Sequence, residues 1–222
     1  MVRVKVCGIT CYEDAHMAVS IGVDALGFIF APSPRRIMPE KAREIISRLP
    51  PFVKALGVFV NEDEATIQEI RKFCGLDLVQ LHGDESPEFC EALMPFSIKS
   101  FQVRDPSSLE GIHRYKGKIR ALLLDAYSPA TRGGTGRTFD WTLASKAKAF
   151  EMPLILSGGL NPDNVRQALE GVRPYALDLN SGVESSPGRK SRELLERCME
   201  NLLKNDCLRR KALSGLPRRP CF

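Results

Sequence analysis

A closed (β/α)8 barrel in one domain is the fold class this 222-residue sequence predicts, and three observations carry it. Apolar strand-like runs alternate with amphipathic helical stretches about every 20 to 30 residues, eight times over, the rhythm of repeated βα units. Five runs end in polar, chemically useful residues, as parallel strands do when each delivers a functional group at one rim. The glycine-rich turns follow the last two strands. The first turn, Cys7-Gly8-Ile9-Thr10, lacks the G-x-G-x-x-G that an open doubly wound sheet often carries there.

The strands in order are Val2 to Cys7, Ala25 to Phe30, Ala55 to Val60, Leu78 to Leu81, Ile98 to Gln102, Ala121 to Asp125, Leu154 to Ser157 and Ala176 to Asn180. Each is a short run rich in aliphatic residues, as a strand covered on both faces requires. The helical stretches between and after them are Tyr12 to Ile21, Pro39 to Leu49, Glu62 to Cys74, Ser86 to Met94, Ser107 to Tyr115, Trp141 to Phe150, Pro162 to Glu170 and Lys190 to Lys204. Ser86-Pro87-Glu88 offers an N-cap followed by proline at the first helical position, and Asn161-Pro162-Asp163 repeats the device. Residues 1–204 thus make one barrel domain of TIM-barrel type.

Composition sets the remaining bounds. With 43% apolar and 27% charged residues the chain has an ordinary soluble balance, and no run approaches the ~18–20 apolar residues of a membrane span. The strand-like start leaves no room for a signal peptide, so a cytoplasmic protein without a membrane partner is expected. Seven scattered cysteines, with no CxxC pair, read as reduced thiols rather than zinc ligands, and no metal site is expected. Much of the +5 net charge lies in Arg209, Arg210, Lys211, Arg218 and Arg219, faced only by Asp206. Residues 205–222 therefore read as a basic, disordered extension, and without interleaved aromatics they do not suggest nucleic-acid binding.

Chemistry gathers at the strand ends. Ser157-Gly158-Gly159-Leu160 and Asn180-Ser181-Gly182-Val183 each pass from an apolar strand into a turn whose bare backbone can bring N–H groups to an anion. Side by side after the seventh and eighth strands, Gly158, Gly159, Ser181 and Gly182 make a candidate phosphate cradle. Three ionisable groups, Cys7, Asp125 and Asp178, should converge above the barrel. A carboxylate closing Ala121-Leu122-Leu123-Leu124 belongs in the mouth, because it would be costly inside the barrel without a partner. A carboxyl and a thiol facing one substrate supply a general acid and a general base, which suits proton transfer between carbon and oxygen. Gly133-Gly134-Thr135-Gly136 lacks the lysine of a P-loop and reads as a flap over the mouth.

The ordered segments Lys5-Val6-Cys7-Gly8-Ile9-Thr10, Ser33-Pro34-Arg35, Val79-Gln80-Leu81-His82-Gly83, Leu123-Leu124-Asp125-Ala126, Phe139-Asp140-Trp141, Ser157-Gly158-Gly159-Leu160 and Ser181-Gly182-Val183-Glu184 resemble the phosphoribosylanthranilate isomerase family of tryptophan biosynthesis, over roughly Val2 to Leu203. The resemblance implies an Amadori rearrangement of a phosphosugar–anthranilate substrate with no metal or organic cofactor. It implies Asp125 as the acid that opens the furanose ring and Cys7 as the base that takes the C2 proton. It further implies Arg35 at the anthranilate carboxylate, with His82 and Asp178 also binding substrate, Asp178 as an orienting group. Asn180 and Cys11 depart from the family pattern. A synthase barrel would carry catalytic lysines where this chain has Cys7 and Asp125, and a barrel reduced to a sensor would have lost both. A monomer and a homodimer are equally compatible with the sequence.

Overall fold

The computed structural model describes residues 2–126 and 141–214. The Gly133–Gly136 flap lies outside the described residues, as does the extension after Ser214. Eight parallel strands close into one barrel in chain order. They are β1 (Arg3–Val6), β2 (Ala25–Ile29), β3 (Lys54–Phe59), β4 (Leu78–Leu81), β5 (Ser97–Val103), β6 (Ala121–Ala126), β7 (Leu154–Ser157) and β8 (Ala176–Leu179). The ring shuts where β8 pairs with β1, in the register Lys5↔Asp178 and Val6↔Leu179.

Alternation along each strand divides the side chains between two cores. Val4, Val6, Leu26, Phe28, Leu122, Leu124, Leu154, Leu156, Leu177 and Leu179 point outward into the main core beneath the helices. Leu56, Ile98, Ala121, Leu123, Ile155 and Ala176 fill the inside of the barrel as a separate apolar cluster. Above that plug the interior turns polar, with Lys5, Gln80, Ser100 and Asp178 all buried.

The helices are α1 (Tyr12–Ile21), α2 (Pro39–Ile46), α3 (Glu64–Cys74), α4 (Pro87–Ala92), α5 (Trp141–Lys146), α6 (Val165–Val172) and α7 (Arg192–Ser214). Ser86 caps α4, its Oγ accepting from the Phe89 N–H at 3.2 Å with Pro87 in the first turn. The expected cap at Asn161-Pro162 is different. Asn161 Oδ1 instead accepts from the Asp163 N–H at 2.9 Å, a local turn that delays α6 until Val165. Ser107 to Tyr115 is not one helix but two 3₁₀ turns, Pro106–Leu109 and Ile112–Tyr115, separated by Gly111 at φ 78°.

Two further corrections concern the end of the chain. Glu184–Ser186 (β9) and Arg189–Lys190 (β10) form a short antiparallel ribbon, so Lys190 belongs to a strand rather than opening the last helix. Helix α7 then continues past the expected end at Lys204 to Ser214. Among the described residues no helix is long and apolar enough to cross a membrane.

Candidate active site

Because the strands are parallel, their C-terminal ends share one rim, and every site residue read from the sequence lies on it or just inside. Cys7 follows β1 and is buried at 5% exposure. Room for its thiol comes from Gly27 on β2, where a Cβ would stand 2.8 Å from Cys7 Sγ and 3.0 Å from Lys5 Cε. Asp125 stands near the end of β6, partly open, and His82 Nε2 lies 3.3 Å from its Oδ2. Asp178 is one residue short of the end of β8 and fully enclosed. Its Oδ2 accepts from Lys5 Nζ at 2.7 Å, while its Oδ1 is buried with no partner.

Lys5 was not singled out by the sequence, and it is the centre of the site. Its ammonium, 3% exposed, also donates to Gln80 Oε1 at 2.9 Å. Gln80 Nε2 in turn lies 3.1 Å from His82 Nδ1. Burial alone would lower the Lys5 ammonium, but Asp178 and Cys7 hold it above its ordinary value. Burial pushes the Cys7 thiol up, and the Lys5 charge works against that rise. The thiol therefore sits dry, with a cation below it that favours its ionised form.

His82 is held from behind by a second buried pair. Lys99 Nζ contacts Glu85 Oε2 at 3.1 Å and donates to the Gly83 carbonyl at 2.7 Å. Glu85 Oε1 accepts from the backbone N–H groups of Asn61 and Gly83, at 2.9 and 3.1 Å. These contacts fix the loop after β4 on which His82 rides.

Arg35, in the loop after β2, leans over the start of the β1 turn: a Cβ on Gly8 would come within 2.7 Å of Arg35 Cδ. Its guanidinium is paired rather than open. Nε and Nη2 grip Glu184 at 2.7 to 3.1 Å. Glu184 also accepts from the buried Lys190 Nζ at 2.7 Å. Burial works against the Glu184 carboxylate, but Arg35 and Lys190 together hold it below its ordinary range. The grip uses one edge of the fork and leaves Nη1 and one Nη2 proton for a further acceptor.

The turns after β7 and β8 meet. Gly158 and Gly159 have φ of 94° and 63°, open to glycine at little cost. Ser181–Val183 forms a 3₁₀ turn in which Gly182 packs directly on the Leu160 carbonyl, so that any Cβ there would collide with backbone. The four residues read from the sequence as an anion cradle are thus neighbours on one arc of the rim. Cys11 lies outside the mouth, its sulfur 3.1 Å from Arg189 Nη1. Among the described residues no group of three or more His, Cys, Asp or Glu side chains is placed to hold a metal ion.

Comparison with known proteins agrees with this geometry. A family model described as N-(5'phosphoribosyl)anthranilate (PRA) isomerase matches residues 4–201. An N-(5'-phosphoribosyl)anthranilate isomerase of Geobacter sulfurreducens is 58% identical over 86% of this chain and 93% of its own length. The crystal structure of phosphoribosyl anthranilate isomerase from Thermotoga maritima superposes with a TM-score of 0.86 at 44% identity, covering 92% of this chain and all of that one. A structure of such an isomerase in complex with reduced 1-(o-carboxyphenylamino)-1-deoxyribulose 5-phosphate gives 0.83 at 42% identity, again over 92% of this chain and all of the other. The chain belongs to the phosphoribosylanthranilate isomerase family of tryptophan biosynthesis.

Proposed function

We propose that this protein converts N-(5'-phosphoribosyl)anthranilate to 1-(2-carboxyphenylamino)-1-deoxyribulose 5-phosphate, with Asp125 as general acid and Cys7 as general base. One observation carries the assignment of roles: a dry thiol after β1 and a half-open carboxyl on β6 face one barrel mouth from different sides. Asp125 gives its proton to the furanose ring oxygen, the C1–O bond breaks, and the nitrogen lone pair forms the iminium ion. The Cys7 thiolate then takes the C2 proton, and those electrons neutralise the iminium nitrogen as an enolamine, which tautomerises to the ketone.

The surrounding groups supply orientation. The free edge of Arg35 suits the anthranilate carboxylate, with Glu184 holding the guanidinium flat. Gly158, Gly159, Ser181 and Gly182 offer a side-chain-poor arc for the 5-phosphate. Asp178, held by Lys5 through Oδ2 and with Oδ1 left without a partner, acts as the orienting group for the substrate. Around the opposite rim Phe52 and Tyr175 are 93% and 53% exposed beside a cavity of about 1030 Å³, which supports a homodimer through that face. Sedimentation equilibrium decides it, a single monomeric species removing the dimer.

The direct test of the activity is turnover of freshly generated substrate, followed by loss of anthranilate-type fluorescence, in wild type, Cys7→Ala and Asp125→Asn. Wild type should turn over and each variant should lose at least ~100-fold in kcat. No turnover in folded wild type would overturn the function, and near-normal turnover in either variant would remove that residue from its role.

A further inference from the structure

The hydrogen-bond partners beneath the mouth form one chain in which each donor dictates the next. A lysine ammonium carries only donors, so the atom of Gln80 that faces Lys5 Nζ at 2.9 Å must be its carbonyl oxygen. The other end of that amide is then the NH2 group. It points at His82 Nδ1, 3.1 Å away, and makes that nitrogen an acceptor. The reverse orientation of the amide would set NH2 against ammonium in a site where Gln80 is 2% exposed and neither could turn to water. With Nδ1 accepting, the ring proton resides on Nε2, the atom 3.3 Å from Asp125 Oδ2.

We propose that Lys5, Gln80 and His82 are a positioning chain for the acid: Lys5 orients Gln80, Gln80 fixes His82 as the neutral Nε2–H tautomer, and His82 donates to Asp125 Oδ2. The proposal rests on the isomerase reading above and extends it to residues that do not touch the reacting atoms. Its consequence is chemical. An Asp125 whose Oδ2 is already an acceptor carries its own proton on Oδ1, the oxygen left to face the ring oxygen of the substrate. The Gln80 donor at Nδ1 also keeps a second proton off the imidazole, so no imidazolium stands beside Asp125 to draw the carboxyl into an ion pair. The same ammonium lies next to Cys7, so one buried cation serves both ends of the proton transfer: it favours the thiolate directly and, through two neutral links, sets which oxygen of Asp125 is left free.

The experiment is a two-bond 1H–15N correlation spectrum of histidine-labelled protein at neutral pH. There are three histidines, and His82 is assigned by its absence in His82→Asn. The expected wild-type result is a single protonated nitrogen, Nε2. A proton on Nδ1, or on both nitrogens, overturns the chain without any variant being needed. In Gln80→Glu the new carboxylate accepts from both Lys5 and His82, so Nδ1 should become protonated. kcat should then fall by at least ~10-fold with KM within ~3-fold, since the acid is disturbed and the binding rim is not. A Gln80→Glu protein that shows the altered tautomer yet keeps kcat within ~2-fold of wild type would overturn the role. Wild-type turnover in the same sample separates the two ideas, because its absence sinks the isomerase reading whereas a wrong tautomer in an active enzyme sinks only the chain.

Discussion

Replacing Lys5 by Met removes one charge from a pair whose side chains are 4% and 3% exposed. Asp178 Oδ1 already lacks a partner, and without Lys5 neither carboxylate oxygen would have one. Stranding a buried charge in this way costs about 3–5 kcal/mol. The loss of a donor to the buried Gln80 Oε1 adds about 1–3 kcal/mol. Protonation of Asp178, which burial already favours, limits the total, and we expect about 4 kcal/mol. At about 2–4 °C per kcal/mol for a domain of this size, Tm should fall by about 8–16 °C. The assay is urea and thermal unfolding followed by circular dichroism, on Lys5→Met, Asp178→Leu and the double variant. Removing both charges leaves no stranded ion, so the double variant should recover to within about 1–2 kcal/mol of wild type. A loss under about 1 kcal/mol in Lys5→Met, or a double variant no more stable than it, would refute the reasoning.

Two further outcomes follow from the same centre. Gly27→Ala places a Cβ 2.8 Å from Cys7 Sγ and 3.1 Å from Cys7 Cα, so the thiol must move. We expect a loss of at least ~10-fold in kcat with a stability cost of about 1–3 kcal/mol, checked by steady-state kinetics beside a melting curve. The pH profile of kcat/KM tests the pair of ionisations. Between the two pKa values each pH unit gains tenfold in thiolate and loses tenfold in carboxylic acid, so the profile should carry a flat top. On the alkaline side it should fall above the Cys7 pKa, which burial pushes above the ordinary 9.0. Lys5→Met should move that fall to higher pH and lower the plateau; an alkaline fall below pH 9 in wild type would show that the Lys5 charge outweighs burial.

The barrel was legible because eight short apolar runs recur along the chain, five of them ending in polar residues, a pattern that depends on neighbours in the sequence. Cys7, Asp125 and the glycine turns were found for that reason. Lys5 and Gln80 escaped notice because they stand inside their runs, Val4-Lys5-Val6 and Val79-Gln80-Leu81. There, alternation sends them inward, where Lys5 meets Asp178 from β8 and Gln80 from β4. The signal was present: a charged or amide side chain flanked by valine and leucine in a strand covered on both faces has nowhere to go but the interior, and needs a partner there. Glu184 was quoted within a motif, but its grip on Arg35 joins positions 149 residues apart and left no local trace. Ser107 to Tyr115 failed as a helix because Gly111 and the capping side chain of Asp105 favour short turns, an outcome decided by single residues rather than periodicity.

The bond between Lys5 and Asp178 spans 173 residues of sequence and lies across the seam where the last strand meets the first. A nascent chain exposes Cys7 almost at once, yet the cation that steadies it has no counter-ion until β8 has been synthesised and docked. Until then β1 and its neighbours are open sheet edges, able to pair with the wrong strand. Closure of the ring and formation of the buried Lys5–Asp178 pair beneath Cys7 are therefore the same event. A barrel that lacks β8 leaves the Lys5 ammonium without its buried counter-ion.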